Sequence, residues 1–337
     1  MFHTIIGQEE TKQRLGHALT SNPGHAYIMT GPRGVGRKTI ARAFAAGLLC
    51  ENPDMNGACG QCPSCRYFQN SSHPDYREIL LTGKEKVIPV ETVRQQISGD
   101  LHLQPHLGRR KVFLITADDL NEQGQNALLK SLEEPPEPVV FLLTALSADH
   151  LLPTIVSRAV VWPVRRSKPE DLEQILHMKG FDEGPETAFY IAFSGGIPGI
   201  AVEMAASDWF ADLRQETIQF FLDIPTISRA DLLTDGYAFL DNNRQRMPDL
   251  LDILESLIRD LLVLPVSRST DRLINADQAV VLKRFLQFWQ DEKTARTHLT
   301  RSHEALMAAR RGLSVNASFE GLACQLMLAL RKELKHA

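Results

Sequence analysis

"HAYIMTGPRGVGRKTIARAFAAGLLC", His25 to Cys50, decides the fold. A short apolar run, HAYIMT, enters a glycine-rich loop, and an alanine-rich segment of helical periodicity leaves it. Strand, glycine loop and helix is the setting in which backbone N–H groups and a helix N-terminus cradle phosphate oxygens. The pattern for such a loop is G-x-x-x-x-G-K-[ST]. Gly31 and Gly36 stand where it requires them, and Gly34 adds a middle glycine. The next two positions depart from it, because they hold Arg37 and Lys38. Arginine keeps the charge but offers a broad planar fork where a compact ammonium is wanted. Lys38 has no oxygen for Mg²⁺, and Thr39 comes one position too late. The scaffold reads as that of a nucleotide-binding domain, but hydrolysis is not expected and the nucleotide site is degenerate.

The run KVFLIT, Lys111 to Thr116, has buried-strand length. A working nucleotidase of this type ends that strand with an aspartate for the metal and often a glutamate that activates water. Thr116 and Ala117 fill those positions here. Asp118 and Asp119 follow, and the sequence predicts them in the first turn of the next helix, where acids suit the helix dipole. In an extended chain a two-residue offset would carry a carboxylate roughly 6–7 Å past the metal.

Outward from these segments, buried strands alternate with helical patterns as far as about residue 165. PVVFLLTA (Pro138 to Ala145) is a third apolar strand, and NEQGQNALLKSLEE before it is a helix stopped by Pro135 and Pro136. Such alternation predicts a parallel sheet covered on both faces. Beyond 165 the strand signal ends. SKPEDLEQILHMKG and two short segments around the glycines of SGGIPGIA read as helices. From about 208 the pattern is helical throughout; in MPDLLDILESLIRDLLVL, Leu250, Leu254, Leu257, Ile258 and Leu261 share one apolar face. The expected organisation is an α/β domain over 1–165, a small helical lid over 166–207 and an all-helical domain over 208–337. A chain of 337 residues is long enough for several cores. The formal net charge of −4 argues against a stand-alone nucleic-acid binder. The N-terminal stretch lacks a basic region followed by an apolar core, and no apolar run approaches the length of a membrane span. A cytoplasmic protein with no membrane partner is therefore expected.

Four of the five cysteines lie close together, and Cys50, Cys59, Cys62 and Cys65 give C-x8-C-x2-C-x2-C. Two-residue gaps let neighbouring thiolates converge on one tetrahedral ion, so an insertion at about 50–65 holding structural Zn²⁺ is expected. An iron–sulfur cluster is the chemical rival. Such a closed site leaves no position for water, so the metal would not be catalytic. Cys324 lies on an apolar helical stripe and reads as a core residue.

The order of IIGQ, HAYIMTGPRGVGRKT, the four cysteines, HPD (His73 to Asp75), NALLKSLEEPP and LLPTIVSR resembles that of the bacterial clamp-loader subunits of the AAA+ class. The resemblance is specific over about residues 1–205 and weak beyond. It implies a P-loop ATPase-like α/β domain, a lid and a helical collar. It also implies a place in a hetero-pentamer with delta and gamma/tau subunits, which sets the sliding clamp on primed DNA. In that family a Ser-Arg pair reaches the ATP site of a neighbouring subunit, where the arginine acts as a finger on the γ-phosphate. Ser157 and Arg158 match the pair, and Ala159 replaces the cysteine that often follows. The family's lid carries a sensor arginine that aligns here with Gly199 or Pro198. This third departure, beside Arg37/Lys38 and Thr116/Ala117, fits a subunit that does not turn over ATP. An active motor of the gamma/tau type is the alternative; it would call for Lys and Thr at 37 and 38 and acids at 116 and 117. His73 reads as a turn or packing residue, and Lys130, Glu133 and Glu134 as an exposed rim.

Overall fold

Five strands pair in parallel into one sheet: β1 (Ala26–Thr30), β2 (Tyr76–Ile79), β3 (Lys111–Thr116), β4 (Val139–Ala145) and β5 (Val160–Pro163), in the order β2-β3-β4-β1-β5. The computed structural model describes residues 2–81, 85–101, 103–267, 269–289, 291–315 and 317–335. β3 and β4 coincide with the apolar runs of the sequence, as a strand buried on both faces requires. The two edges were not foreseen. In β2 only Ile79 is fully buried, and in β5 only Trp162, so neither carries a continuous apolar signal.

Alternate residues of each central strand feed two cores. Tyr27, Met29, Val112, Leu114, Val140 and Leu142 pack on one face with Leu15 and Leu19 of α1 (Glu9–Thr20) and Phe44 of α2 (Arg37–Leu49). Ala26, Ile28, Phe113, Ile115, Phe141 and Leu143 pack on the other. There they meet Ile97 of α4 (Val90–Leu101), Leu128 and Leu132 of α5 (Glu122–Glu133) and Ile155 of α6 (Pro153–Val156). Between α2 and β2 lies α3 (Pro63–Gln69), whose first residue is a proline with no N–H to waste.

The parallel register brings the C-terminal ends of the strands to one edge. Thr30 of β1 lies beside Ala145 of β4, and Thr144 beside Thr116 of β3. Strand order reverses around β1, and a crevice at such a switch point is where open α/β sheets hold ligands.

The chain divides into two compact units, Met1–Ile175 with Gly196–Ile200, and Leu176–Gly195 with Ala201–Ala337. Residues 166–207 contribute to both. The helices after the sheet are α7 (Pro169–Met178), α8 (Pro185–Phe193), α9 (Pro198–Ala205), α10 (Asp208–Asp223), α11 (Arg229–Asp231) and α12 (Tyr237–Asn242). They continue with α13 (Met247–Val263), α14 (Ala279–Leu286), α15 (Glu292–Ser314) and α16 (Phe319–Leu334). In the second unit α13 forms the centre: Leu250, Leu254, Leu257, Ile258 and Leu261 are completely buried with Phe221, Leu306 and Leu330. Cys324 packs against this core. Among the described residues no helix is long and apolar enough to cross a membrane.

Candidate functional site

The glycine loop sits at the C-terminal edge of β1 and opens α2, whose N-cap is Gly36. Gly34 and Gly36 have φ of +83° and +104°, a left-handed backbone that favours glycine. At Gly31 a Cβ would stand 2.8 Å from the Val164 carbonyl oxygen. Gly34 is held from the far side as well. Its carbonyl accepts the Gly199 N–H at 2.9 Å, and a Cβ on Gly199 would lie 2.8 Å from the Gly34 Cα. Gly199 thus meets the loop backbone to backbone.

Arg37 turns inward. Its Nη1 is 2.7 Å from Asp118 Oδ2, with both side chains largely buried, and Asp118 Oδ1 accepts the Leu146 N–H at 2.6 Å. This corrects the sequence-based placement of the two aspartates. They are not in the first turn of α5, which begins at Glu122 behind the Asn121 cap. Residues 117–119 form a separate 3₁₀ turn instead. The chain after β3 is coiled rather than extended, so the offset that would carry Asp118 past the loop does not arise. The nearby Asp119 has its carboxyl pushed above the ordinary range, first by burial and then by the Asp118 charge, with Arg33, Lys38 and Arg37 opposing. Lys38 points away to Glu78 of β2 at 3.2 Å, a carboxylate that also takes a bidentate contact from Arg42. Thr39 is exposed. The loop therefore keeps its backbone cradle, while an internal ion pair stands where cation and phosphate chemistry would require free groups. Thr116 ends β3 half-buried, and Ala117 is buried.

Ser157 ends α6, and Arg158 follows it at the surface with 35 % of its side chain exposed. Its Nη1 donates to the Thr154 carbonyl at 2.9 Å and the Ser157 hydroxyl at 3.3 Å, and its Nη2 meets Glu133 Oε1 at 3.0 Å. Lys130, Glu133 and Glu134 are exposed.

The four thiols of Cys50, Cys59, Cys62 and Cys65 have their sulfurs within 4.8 Å of one another, and none forms a disulfide. Cys50 ends α2 and Cys62 caps α3, which gives the set two rigid supports. The pairs Cys50–Cys62 and Cys59–Cys65 stand 3.9 Å apart. Four ligands at the usual zinc–sulfur distance place their sulfurs about 3.8 Å apart, so one tetrahedral ion fits the spacing. A multi-iron cluster would hold its thiolates farther apart. Backbone N–H groups of Gln61 and Cys62 pull the Cys59 thiol down to about 6, whereas burial pushes Cys50 and Cys65 up.

The HPD motif supports this module. His73 is buried, and its Nδ1 accepts the Asp75 N–H, which leaves Nε2–H to donate to Ser64 Oγ at 2.8 Å. Ser64 in turn donates to the Leu49 carbonyl at 2.6 Å, next to Cys50. Burial lowers the His73 pKa, in keeping with a neutral ring. Asp75 accepts the N–H groups of His106, Leu107 and Gly108 and so shapes the turn before β3. These contacts, the inward Asp118 and the partner of Arg158 were not visible in the sequence; only the polar triplet itself marked the place.

Comparison with known proteins shows what the chain is similar to. Residues 7–168 match the family described as DNA polymerase III, delta subunit. The delta' subunit of DNA polymerase III from Pseudomonas aeruginosa is 42% identical over 136 residues, 40% of this chain and 42% of the relative. The tau subunit of Escherichia coli is 38% identical over 178 residues, 52% of this chain and 27% of that protein. The delta' subunit of Haemophilus influenzae is 29% identical over 299 residues, 88% of this chain and 84% of the relative. The matched part spans less than half the length of the first two.

Proposed function

Because the chain is a relative of the delta-prime subunits of DNA polymerase III, we propose that it is a clamp-loader subunit that does not hydrolyse ATP itself. In this reading it lends Arg158 to the ATP site of a neighbouring gamma/tau-type subunit. The observation that carries the proposal is the contrast between two arginines. Arg37, in the loop, is largely buried against Asp118, whereas Arg158, although tethered to Glu133, Thr154 and Ser157, keeps 35 % of its side chain exposed. A guanidinium keeps its charge at any physiological pH and can donate in parallel to two phosphate oxygens, which suits it to the charge that develops on a transferring γ-phosphate. Hydrolysis within the chain itself finds no support, since Arg37, Lys38, Thr116 and Ala117 stand where lysine, a hydroxyl residue and two acids would act.

The four cysteines would hold structural Zn²⁺. The ion would tie the end of α2 to the start of α3 and supply no chemistry, because four thiolates leave no open position. The lid of 166–207 and the helical 208–337 would serve the same assembly, the latter as its collar. Delta and gamma/tau subunits would complete a hetero-pentamer acting on the sliding clamp and primed DNA in the cytoplasm. The similarity to tau subunits favours the alternative of an active motor, but those four residues oppose it.

The test is steady-state ATP hydrolysis by the complex reconstituted with its motor subunits, clamp and primed DNA, with the lone chain as control. An inert lone chain, together with an Arg158→Ala variant that assembles normally but lowers turnover, is the expected result. Hydrolysis by the lone chain with Arg158→Ala leaving the complex unchanged would return the motor assignment.

A further inference from the structure

Glu133 closes α5, immediately before the Glu134-Pro135-Pro136 stop. An acid is unfavourable at that end of a helix, where the dipole already places negative charge. Helix stability therefore does not explain it. What Glu133 does in the structure is hold Arg158 Nη2 at 3.0 Å. The other terminal nitrogen, Nη1, is tied to the Thr154 carbonyl and the Ser157 hydroxyl, both within the same short turn. Local tethers on Nη1 alone would leave the guanidinium free to swing about that nitrogen. Glu133, which comes from a different helix, supplies the second fixed point.

We infer that Glu133 is a positioning residue, setting the plane of the Arg158 guanidinium so that its remaining donors face outward toward a phosphate held by a neighbour. The inference rests on the reading of Arg158 as a trans-acting finger. A guanidinium carries five N–H donors. The three observed contacts leave at least two for phosphate oxygens, so the tethers need not break when the finger engages. A long arginine side chain loses considerable rotamer freedom on fixation, and a finger already fixed avoids that loss in the reacting complex. The pair is only partly buried, so its effect is modest; a surface ion pair corresponds to roughly a two- to fivefold change in rate.

The experiment compares Glu133→Ala, Glu133→Gln, Arg158→Ala and the double alanine variant in the reconstituted complex, reading kcat and KM for ATP separately. Assembly and melting of each variant serve as controls. Glu133→Ala is expected to lower kcat roughly two- to fivefold with KM unchanged. Glu133→Gln, which retains an oxygen acceptor, should recover part of the loss, and the double variant should be no slower than Arg158→Ala. If Arg158→Ala slows the complex while Glu133→Ala leaves it unchanged or faster, the positioning role is overturned and the finger stands. A double variant slower than Arg158→Ala by the full Glu133 effect overturns it too, because Glu133 would then act independently. If Arg158→Ala itself changes nothing, the finger reading fails and the inference falls with it.

Discussion

Arg37 shows how far a residue's meaning depends on its neighbour. The sequence identified it as a misfit in a phosphate loop, and that holds at the level of the motif. It did not show that the misfit has a partner, because an arginine's reach is set by folding and not by spacing. Asp118 accepts from both Arg37 and the Leu146 N–H. Arg37→Met should therefore lower stability by about 1–3 kcal/mol, since it leaves a largely buried carboxylate with one partner instead of two. Adding Asp118→Asn should restore part of that loss, and amide exchange over residues 31–40 and 112–119 in both single variants and the double variant measures the coupling. The neighbouring Asp119 carries a pH dependence. Its folded pKa is raised, so the folded chain holds this proton more tightly than the unfolded chain. The stability it contributes is greatest below the ordinary aspartate value of about 3.9 and is lost as pH rises through the folded value. Asp119→Asn fixes the neutral form and should raise the melting temperature at pH 7, with the gain shrinking as pH falls toward 4.

At the scale of elements, the central strands and the glycine loop were legible because burial on both faces leaves unbroken apolar runs. The turn at 117–119 was not, since Ala-Asp-Asp after a strand is compatible with a helix start or a separate turn. The edge strands were missed for the opposite reason, their exposed residues hiding the period. The close approach of Gly199 to the loop depends on two glycines whose motif positions gave no sign that they touch. Gly199→Ala would drive a Cβ into the Gly34 backbone at 2.8 Å, and backbone cannot step aside as a flexible side chain can. A loss of about 1–3 kcal/mol is expected, read as a lower melting temperature together with faster amide exchange over residues 31–36. The cysteine insertion was read correctly as a cluster but without its brace, the His73–Ser64–Leu49 chain. If an ion is bound there, chelation should release about one equivalent of zinc per chain and raise proteolytic cleavage within 50–65. Cys65→Ser should reproduce both effects without chelator.

For the whole molecule, the change from strand to helix near residue 165 was plain in the sequence. How the stretch that follows is shared between two compact units was not, because that depends on which distant residues pack together. The helical unit draws its stability from α13, so Leu257→Ala, at a fully buried position, should cost about 2–5 kcal/mol. Hydrogen exchange is the appropriate measure, since a chain with two units has no single unfolding free energy. Exchange should quicken across α10, α13 and α15. The internal ion pair at the loop has a consequence of a different kind. A ligand shifts a conformational equilibrium only by its difference in affinity for the two states, and a crevice that already carries its own counter-ion offers ATP little reason to distinguish them. On the reading of the loop as degenerate, the chain's melting temperature should be the same with and without Mg-ATP, and a rise with Mg-ATP would show instead that the crevice still takes up nucleotide.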